Sequence, residues 1–269
     1  MTLQRRVRQR VLNDLAEGRP DESAQLNDAL RLLSKWRSVL IQNTHLREHG
    51  TAVMAGPLEG LDYLSRSAEG CLVAKLLGCY EQPLHAFIER AVETAYPVVL
   101  NIGCAEGYYA VGLARRMPDT VVQAFDIDPR ARQLCVELAA RNGVGDRVRV
   151  GALFEPRHFA DYEGRKVLVF CDIEGAEKDL LNPDVAPALR CMDLIVESHE
   201  CFSRGVTRLL VERFASSHEM TLVQDNGQRR LQKSPAWFNR LSHLDQLLAT
   251  WEWRGGPTPW LVMKAHQDR

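Results

Sequence analysis

The stretch Val98–Gly107, which reads VVLNIGCAEG, carries the strongest indication of the fold. An apolar run leads directly into Gly103 and Gly107, and the residues that follow have a helical pattern. In an open α/β sheet, ligands bind at the carboxyl ends of the strands. Glycines at such a turn let the backbone approach a ligand closely. The stretch therefore predicts a strand, a ligand-binding turn and a helix, in that order.

Short apolar runs alternate with helical segments from Pro97 onward. Seven strands are predicted, at Val98–Ile102, Val121–Phe125, Arg147–Val150, Val167–Cys171, Leu194–Val196, Met220–Val223 and Trp260–Met263. Helices are predicted between them at Tyr108–Arg116, Pro129–Arg141, Ala176–Leu181 and Val206–Ala215. Several runs are continuously apolar, which is typical of strands buried on both faces. The alternation predicts an α/β fold with a parallel, doubly wound, Rossmann-like sheet.

Residues 1–95 follow a different pattern and are predicted to be an N-terminal helical region. Leu26, Ala29, Leu30, Leu33, Trp36 and Leu40 recur at the spacing of one helix face. That face would serve dimerisation or pack on the chain's own sheet, and the region is also a candidate substrate lid. The second predicted domain is 96–269, with an insertion at 226–259. The insertion contains Trp251 and Trp253, which predict either a lid that binds substrate or a packing hairpin.

The bulk composition excludes several classes of protein. The 269 residues are 45% hydrophobic and 26% charged, which is typical of a globular protein. A net charge of −1 argues against nucleic acid and anionic membranes as partners. No apolar stretch is long enough to span a bilayer, and the N-terminus lacks the apolar core of a signal peptide. The seven cysteines show no CxxC spacing, so we expect free thiols and a cytoplasmic location.

The glycine pattern narrows the choice of cofactor. The dinucleotide fingerprint GxGxxG fails, because Ala105 and Tyr108 occupy its second and third glycine positions. A phosphate-binding P-loop fails as well, since no GK[ST] follows. S-adenosylmethionine (SAM) has no phosphate, so its loop needs only to clear the methionine and the ribose. The stretch predicts a SAM site whose cofactor-binding residues are Asn101, Gly103, Cys104, Ala105 and Gly107.

A second strand tip supports the same cofactor. The stretch Val121–Pro129 reads VVQAFDIDP, and Asp126 ends its apolar run. A carboxylate there can accept hydrogen bonds from both ribose hydroxyls. Ile127 is placed to pack against the adenine, whereas Asp128 has the features of a helix N-cap. In the alternative interpretation both aspartates are turn and capping residues.

These segments together resemble the FkbM family of class I SAM-dependent methyltransferases. The matching pieces are Asn101–Ala114, Ala124–Pro129, Asn142–Val144, Asp172–Leu181 and Ile195–Glu200, and the DIEGAE run of the fourth piece is the most specific. The resemblance implies O-methylation, often of sugars or polyketide-type natural products, with S-adenosylhomocysteine as the second product. Family members usually have an acidic residue where this chain has Asn101, and an amide can still accept a hydrogen bond.

Methyl transfer to a hydroxyl requires a proton acceptor near the methyl group. His199 follows the fifth strand and is the first candidate, because its ordinary pKa suits neutral pH; a surface histidine is an equal alternative. Asp172 leaves the fourth strand and is the second candidate. Glu174 is a candidate substrate contact, although it and Glu177 could instead cap the following helix.

A metal site is a further possibility at these two strand ends. Asp172, Glu197, His199 and Glu200 together would suit a divalent ion, as in catechol-type methyltransferases. We favour a site without metal.

The leading functional hypothesis is O-methylation of a small or medium-sized metabolite. One alternative is methylation of RNA or protein, with the N-terminal helices as a docking platform, and the near-zero net charge argues against RNA. Another is a non-catalytic SAM-binding partner subunit. Asn101 favours that alternative, whereas Gly103, Gly107 and Asp126 favour retained cofactor binding.

Overall fold

The computed structural model describes residues 2–17, 21–68, 70–256 and 258–266. One sheet in this part of the chain contains the strands β1 (Val98–Ile102), β2 (Val121–Phe125), β3 (Val148–Gly151), β4 (Val167–Cys171), β5 (Asp193–Glu197), β6 (His218–Val223) and β7 (Trp260–Ala265). Their spatial order is β3-β2-β1-β4-β5-β7-β6. The predicted seven-stranded α/β sheet is confirmed. Strands β1, β2 and β4 have the predicted bounds, whereas β3, β5, β6 and β7 differ from the prediction by one or two residues at their ends.

The expectation of a wholly parallel sheet is wrong in one strand. The pairs β1–β2, β1–β4, β2–β3 and β4–β5 are parallel, whereas β7 runs antiparallel to both β5 and β6. Strand β6 ends at the carboxyl edge of the sheet, and β7 pairs with it from that same edge, with Val223 opposite Trp260. Antiparallel neighbours need no crossover to the opposite edge. The insertion therefore stays at the carboxyl edge, where the site lies.

The described chain contains ten α-helices. They are α1 (Leu3–Ala16), α2 (Glu22–His49), α3 (Leu72–Leu77), α4 (His85–Thr94), α5 (Tyr108–Arg116), α6 (Pro129–Arg141), α7 (Glu177–Leu180), α8 (Val206–Phe214), α9 (Ala236–Asn239) and α10 (His243–Thr250). Helices α5 and α6 have the predicted bounds, and α7 and α8 are slightly shorter than predicted. None of the helices in these described ranges combines the length and the hydropathy that crossing a bilayer requires.

Local signals explain where several helices begin. Asp128 accepts a hydrogen bond from the backbone N–H of Arg130 at 2.9 Å, and Pro129 occupies the first turn of α6. This confirms the predicted N-cap, which satisfies one of the free N–H groups of the helix end. The insertion contains two short helices, α9 and α10, separated by residues 240–242. Ser242 accepts from the N–H of Asp245 at 3.2 Å and so starts α10 anew.

The N-terminal region packs directly on the sheet. The segment between α2 and α3 contributes buried side chains to the same core as β1, α5 and α6; they are Val53, Leu58, Leu61, Tyr63 and Leu64. Helix α5 passes so close to this segment that a Cβ at Gly112 would lie 2.4 Å from Cδ1 of Leu58. Burial of this much apolar surface fixes residues 53–64 against the helix that follows the glycine turn.

The predicted apolar face of α2 is only partly buried within the chain. Of the predicted residues Ala29 is buried, but Leu26 and Leu30 are 61% and 63% exposed; Ile41, one position beyond the predicted residues, is buried as well. The C-terminal half of the helix instead joins a second cluster with Leu77, Trp237 and other side chains of α3 and the insertion. The N-terminal half of the face therefore remains available to a partner.

Candidate active site

The glycine turn after β1 is packed tightly between two neighbouring strand ends. Gly103 has a φ of 79°, and a Cβ at this position would lie 1.6 Å from the backbone oxygen of Asp172. The N–H groups of Gly103 and Cys104 both donate to the carbonyl of Phe125, at 2.8 and 2.9 Å. Only glycine fits there, because both the torsion and the space exclude a side chain. The turn thus holds the tips of β1, β2 and β4 together.

The carboxylate of Asp126 lies beside this turn. Its Oδ2 accepts from the N–H of Ala105 at 2.8 Å, and its Oδ1 accepts from the N–H of Asp128 at 2.8 Å. These two bonds fix the orientation of the carboxylate, and each oxygen retains a lone pair. The side chain of Ile127 is 77% exposed next to it. The arrangement is compatible with the predicted contacts to ribose and adenine.

Asn101 lies beneath the turn, in the middle of the sheet. It is 2% exposed and is paired in register with Ala124 on β2 and Phe170 on β4. Its Nδ2 donates weakly to the carbonyl of Phe170 at 3.4 Å, and its buried Oδ1 has no hydrogen-bond partner among the described residues. A buried acceptor without a partner is costly. A ligand group that donates to Oδ1 would remove this cost.

Cys104 also belongs to the turn. A hydrogen bond with Cys135, burial and the nearby charge of Asp126 raise the pKa of the Cys104 thiol. The thiol therefore stays protonated, and the part of Cys104 that remains suited to a ligand is its backbone. Gly107 has a φ of 92°, and a Cβ there would lie 2.7 Å from Sγ of Cys135, so the missing side chain allows α6 to pack against the turn.

His199 and its neighbours form a second group of side chains at the tips of β4 and β5. Its Nδ1 lies 2.7 Å from Oε1 of the buried Glu177. Its Nε2 faces Oδ1 of Asp172 at 3.4 Å, Oε2 of Glu174 at 3.6 Å and Oε2 of Glu197 at 3.6 Å. Burial lowers the pKa of His199, but Glu177 and the other carboxylates outweigh it and raise this pKa. We name the set Asp172, Glu174, Glu197 and His199 the strand-tip cluster.

The structure brings together most, but not all, of the predicted acceptor-side residues. A cavity of about 480 Å³ is lined by Asp172, Glu174, His199 and Trp253. Trp251 lines an adjoining cavity of about 300 Å³ instead. Glu200, considered above as a metal ligand, accepts from the N–H groups of Gly205 and Thr207 at 2.8 and 2.9 Å and so caps α8.

A buried charge network that the sequence did not predict closes the site on the side of the insertion. Arg254 donates to Glu81 at 2.8 Å, to Glu252 at 3.1 Å and to Glu197. Arg229 donates to Glu252 at 2.6 Å and to Asp225 at 2.5 Å. The charged residues Glu252 and Arg254 alternate with tryptophans in the insertion, and this alternation is the signal that could have indicated it.

Burial raises the pKa of Glu81 to about 7, against the opposing effect of Arg254. Tyr109, at the start of α5, donates to Oε2 of Glu81 at 2.6 Å. The network therefore joins the segment before α4, the insertion and the tip of β5. It fixes the wall of the cavity that carries Trp253.

No family model matches the chain. The ribosomal protein L11 methyltransferases of Brucella abortus (strain S19) and Brucella suis biovar 1 (strain 1330) are each 38% identical over 72 residues, which make up 26% of this chain and 23% of those proteins. The chain thus spans about a quarter of the length of the curated relatives it matches.

Among solved structures, an O-methyltransferase from Streptomyces achromogenes involved in tomaymycin synthesis, in complex with SAM, is 14% identical with a TM-score of 0.46. That similarity covers 99% of this chain and 100% of the other. The O-methyltransferase from Bacillus cereus in complex with S-adenosylhomocysteine is 15% identical with a TM-score of 0.44, over 65% of this chain and 78% of the other. At these identities the similarity concerns the fold alone. The chain has the seven-stranded, Rossmann-like α/β sheet predicted from the sequence, with β7 reversed.

Proposed function

We propose that this chain is a SAM-dependent methyltransferase that O-methylates a small or medium-sized metabolite, such as a sugar or a natural-product hydroxyl. The observation that supports the cofactor most strongly is the geometry around the glycine turn. The Asp126 carboxylate is held beside the turn by two backbone amides, and Oδ1 of Asn101 lies buried beneath it without a partner among the described residues. An adenosyl ligand offers hydroxyls to Asp126 and hydrogen-bond donors to Asn101.

The strand-tip cluster is our proposed acceptor side. SAM, when bound, supplies a methyl group on a positively charged sulfur. Glu174 extends a 59% exposed carboxylate into the cavity of about 480 Å³, where it would attract the positive charge of the donor. We assign removal of the hydroxyl proton to this cluster, with Nε2 of His199 and the carboxylate of Asp172 as the acceptors. Glu177 orients the His199 ring through Nδ1.

The cavity supports a small acceptor over a macromolecule. Its volume of about 480 Å³ falls within the range of roughly 300–1,000 Å³ that small-molecule sites occupy. The ring of Trp253 and the carboxylate of Glu174 supply an apolar and a polar wall for such a molecule. Trp251, which lines the neighbouring cavity, would contact only a longer acceptor.

We further propose that the chain belongs to the FkbM family and serves natural-product biosynthesis in the cytoplasm. The family assignment is supported by the DIEGAE run, which places Asp172, Glu174 and Glu177 around His199. The free cysteines of the described chain support a reducing compartment. We also propose a homodimer through α2, because Leu26 and Leu30 remain exposed on it.

The test of the cofactor is calorimetric titration of the full chain with SAM, S-adenosylhomocysteine and NAD. We expect the two sulfur ligands to bind and NAD not to bind. Transfer of labelled methyl from SAM to a panel of hydroxylated compounds then tests the reaction. Binding without transfer to any acceptor class would favour the non-catalytic partner subunit, and failure of both sulfur ligands to bind would refute the proposal.

A further inference from the structure

The Nε2 atom of His199 points into three carboxylates without a hydrogen bond. It lies 3.4 Å from Asp172, 3.6 Å from Glu174 and 3.6 Å from Glu197. The imidazole side chain is only 4% exposed. Among the described residues the ring has one hydrogen bond, from Nδ1 to Glu177. A largely buried imidazole whose free nitrogen faces an acidic cluster at the cavity indicates that the cluster is complete only with a further group.

The contact on Nδ1 determines what Nε2 can do. Glu177 is 0% exposed and its Oε1 accepts from Nδ1 at 2.7 Å, so the neutral ring carries its lone pair on Nε2. A carboxylate behind one ring nitrogen is the usual support for a histidine that binds metal through the other. Glu177 therefore orients His199 as a ligand as well as it would orient a base.

The spacing of the ligand atoms favours a metal over a proton. A protonated Nε2 would close on one carboxylate to about 2.7–2.9 Å, the usual length of a charge-assisted hydrogen bond. Three nearly equal distances of 3.4–3.6 Å are observed instead. Bonds of about 2.0–2.2 Å to a tetrahedral ion would place its ligand atoms roughly 3.3–3.6 Å apart.

Among the described residues, two carboxyl groups of the cluster have no cationic side chain in direct contact, while Arg31 and Lys35 line the same cavity at a greater distance. Glu197 has Arg254 on its other oxygen, but neither Asp172 nor Glu174 has a lysine or arginine within 4.0 Å in the part of the chain that the structure describes. One ligand atom from each of Asp172, Glu174 and His199 can be chosen so that all three lie within 4.8 Å of one another. A divalent cation would neutralise both unpaired carboxylates.

We propose that Asp172, Glu174 and Nε2 of His199 bind a divalent first-row transition metal that faces the acceptor cavity, with Glu197 beside it on Arg254. The mixture of imidazole and carboxylate ligands suits manganese, iron or zinc. This departs from our preference, on sequence alone, for a site without metal, and it excludes Glu200, which caps α8. The metal site itself does not depend on the proposed function, but its consequence for the reaction does. In that reaction the cation would hold the acceptor oxygen, and His199 would be a metal ligand rather than the proton acceptor.

The experiment is a titration of the full chain, first stripped with a chelator, with Mn²⁺ followed by calorimetry and electron paramagnetic resonance. We expect one bound Mn²⁺ per chain. Glu174→Gln should weaken Mn²⁺ binding at least about tenfold. The Glu174 side chain is 59% exposed, so this substitution should leave the fold intact. His199→Gln should weaken Mn²⁺ binding further. The matched control is Glu200→Gln, which removes a neighbouring carboxylate outside the cluster and should leave Mn²⁺ affinity unchanged.

SAM binding is measured on the same samples, so the two proposals fail separately. Absence of stoichiometric Mn²⁺ binding in a chain that binds SAM would overturn the metal site and leave the methyltransferase proposal standing. Mn²⁺ binding that Glu174→Gln and Glu200→Gln weaken equally would also overturn it. Mn²⁺ binding through the cluster in a chain that does not bind SAM would support the metal site and refute the proposed function.

Discussion

Lys75 and Glu106 form a buried ion pair, with 2.5 Å between Nζ and Oε1 and with side chains 4% and 0% exposed. Glu106 belongs to the glycine turn after β1, and Lys75 belongs to α3. Oε1 of Glu106 also accepts from Ser67 at 2.5 Å and from Tyr63. Burial alone would raise the pKa of Glu106, but Lys75 and the two hydroxyls outweigh it and lower this pKa to about 2. This ion pair therefore joins the N-terminal region to the glycine turn.

Removal of one partner of this pair should destabilise the fold strongly. Lys75→Met leaves Glu106 as an unpaired buried charge, and such changes cost about 3–5 kcal/mol. The double variant Lys75→Met/Glu106→Gln should lose less than the sum of the single losses, as urea unfolding would measure. The exposed pair Arg66–Glu137, with side chains 66% and 48% exposed, is the control, and Arg66→Met should cost less than about 1 kcal/mol. Additive losses at Lys75 and Glu106 would show that the two charges do not interact.

The Asp126 carboxylate should determine SAM affinity. Asp126→Ala removes the proposed acceptor of the ribose hydroxyls, and a hydrogen bond to a charged group is worth about 1.5–3 kcal/mol. We therefore expect SAM to bind at least about tenfold more weakly in calorimetry. Asp128→Ala is the control, because Asp128 caps α6 through Arg130 and has no proposed ligand role. Equal losses in the two variants would remove Asp126 from the ribose site.

The bounds of β1, β2, β4, α5 and α6 could be predicted because their signals are local. Apolar runs, the glycine turn and the N-cap at Asp128 each act within a few residues of one another. The reversed direction of β7 was not predicted, because it depends on where the insertion returns to the sheet rather than on the strand's own residues.

The candidate site likewise contains local contacts, which could be predicted, and long-range contacts, which could not. The contacts of Asp126 join residues 105, 126 and 128, and the strand spacing made them predictable. Arg254 joins Glu81 and Glu197, which lie 173 and 57 positions away in the chain. No periodicity connects positions so far apart, so the partners of Arg254 follow only from the packing of the insertion. The pair of Lys75 and Glu106, which lie 31 positions apart in the chain, could not be predicted for the same reason.

Gly103 should be intolerant of a side chain for a reason separate from its torsion. A Cβ there would meet the backbone oxygen of Asp172 at 1.6 Å, which would push β1 and β4 apart. Gly143 has a similar φ of 68°, but nothing lies within 4 Å of its Cβ position. Gly143→Ala should therefore cost only the torsional strain of about 1–2 kcal/mol. Gly103→Ala should cost clearly more in urea unfolding and abolish SAM binding, and equal stabilities of the two variants would contradict the clash.

His45 should make the stability of the protein depend on pH. It is 0% exposed, neither of its ring nitrogens has a hydrogen-bond partner among the described residues, and its ring packs edge-on against Trp237 at 5.7 Å. Burial, with a smaller contribution from His49, lowers the pKa of His45 from 6.5 to about 4. The unfolded chain therefore binds a proton at a higher pH than the folded chain does. Protonation of His45 in the unfolded state therefore costs the protein little stability above pH 6.5, and this cost grows as the pH falls toward 4.

The expected size of this effect follows from the two pKa values. At pH 5 the unfolded state gains about 2 kcal/mol over the folded state from protonation of His45. The wild-type protein should lose this much more stability than His45→Leu between pH 7 and pH 5, as urea unfolding at each pH would measure. His243→Gln is the control, since His243 is exposed and has no part in the pKa shift of His45, and it should follow the wild type closely. If His45→Leu and the wild type lose stability in parallel, the imidazole titrates in the folded state as it does in water, and the packing of α2 against Trp237 must admit solvent.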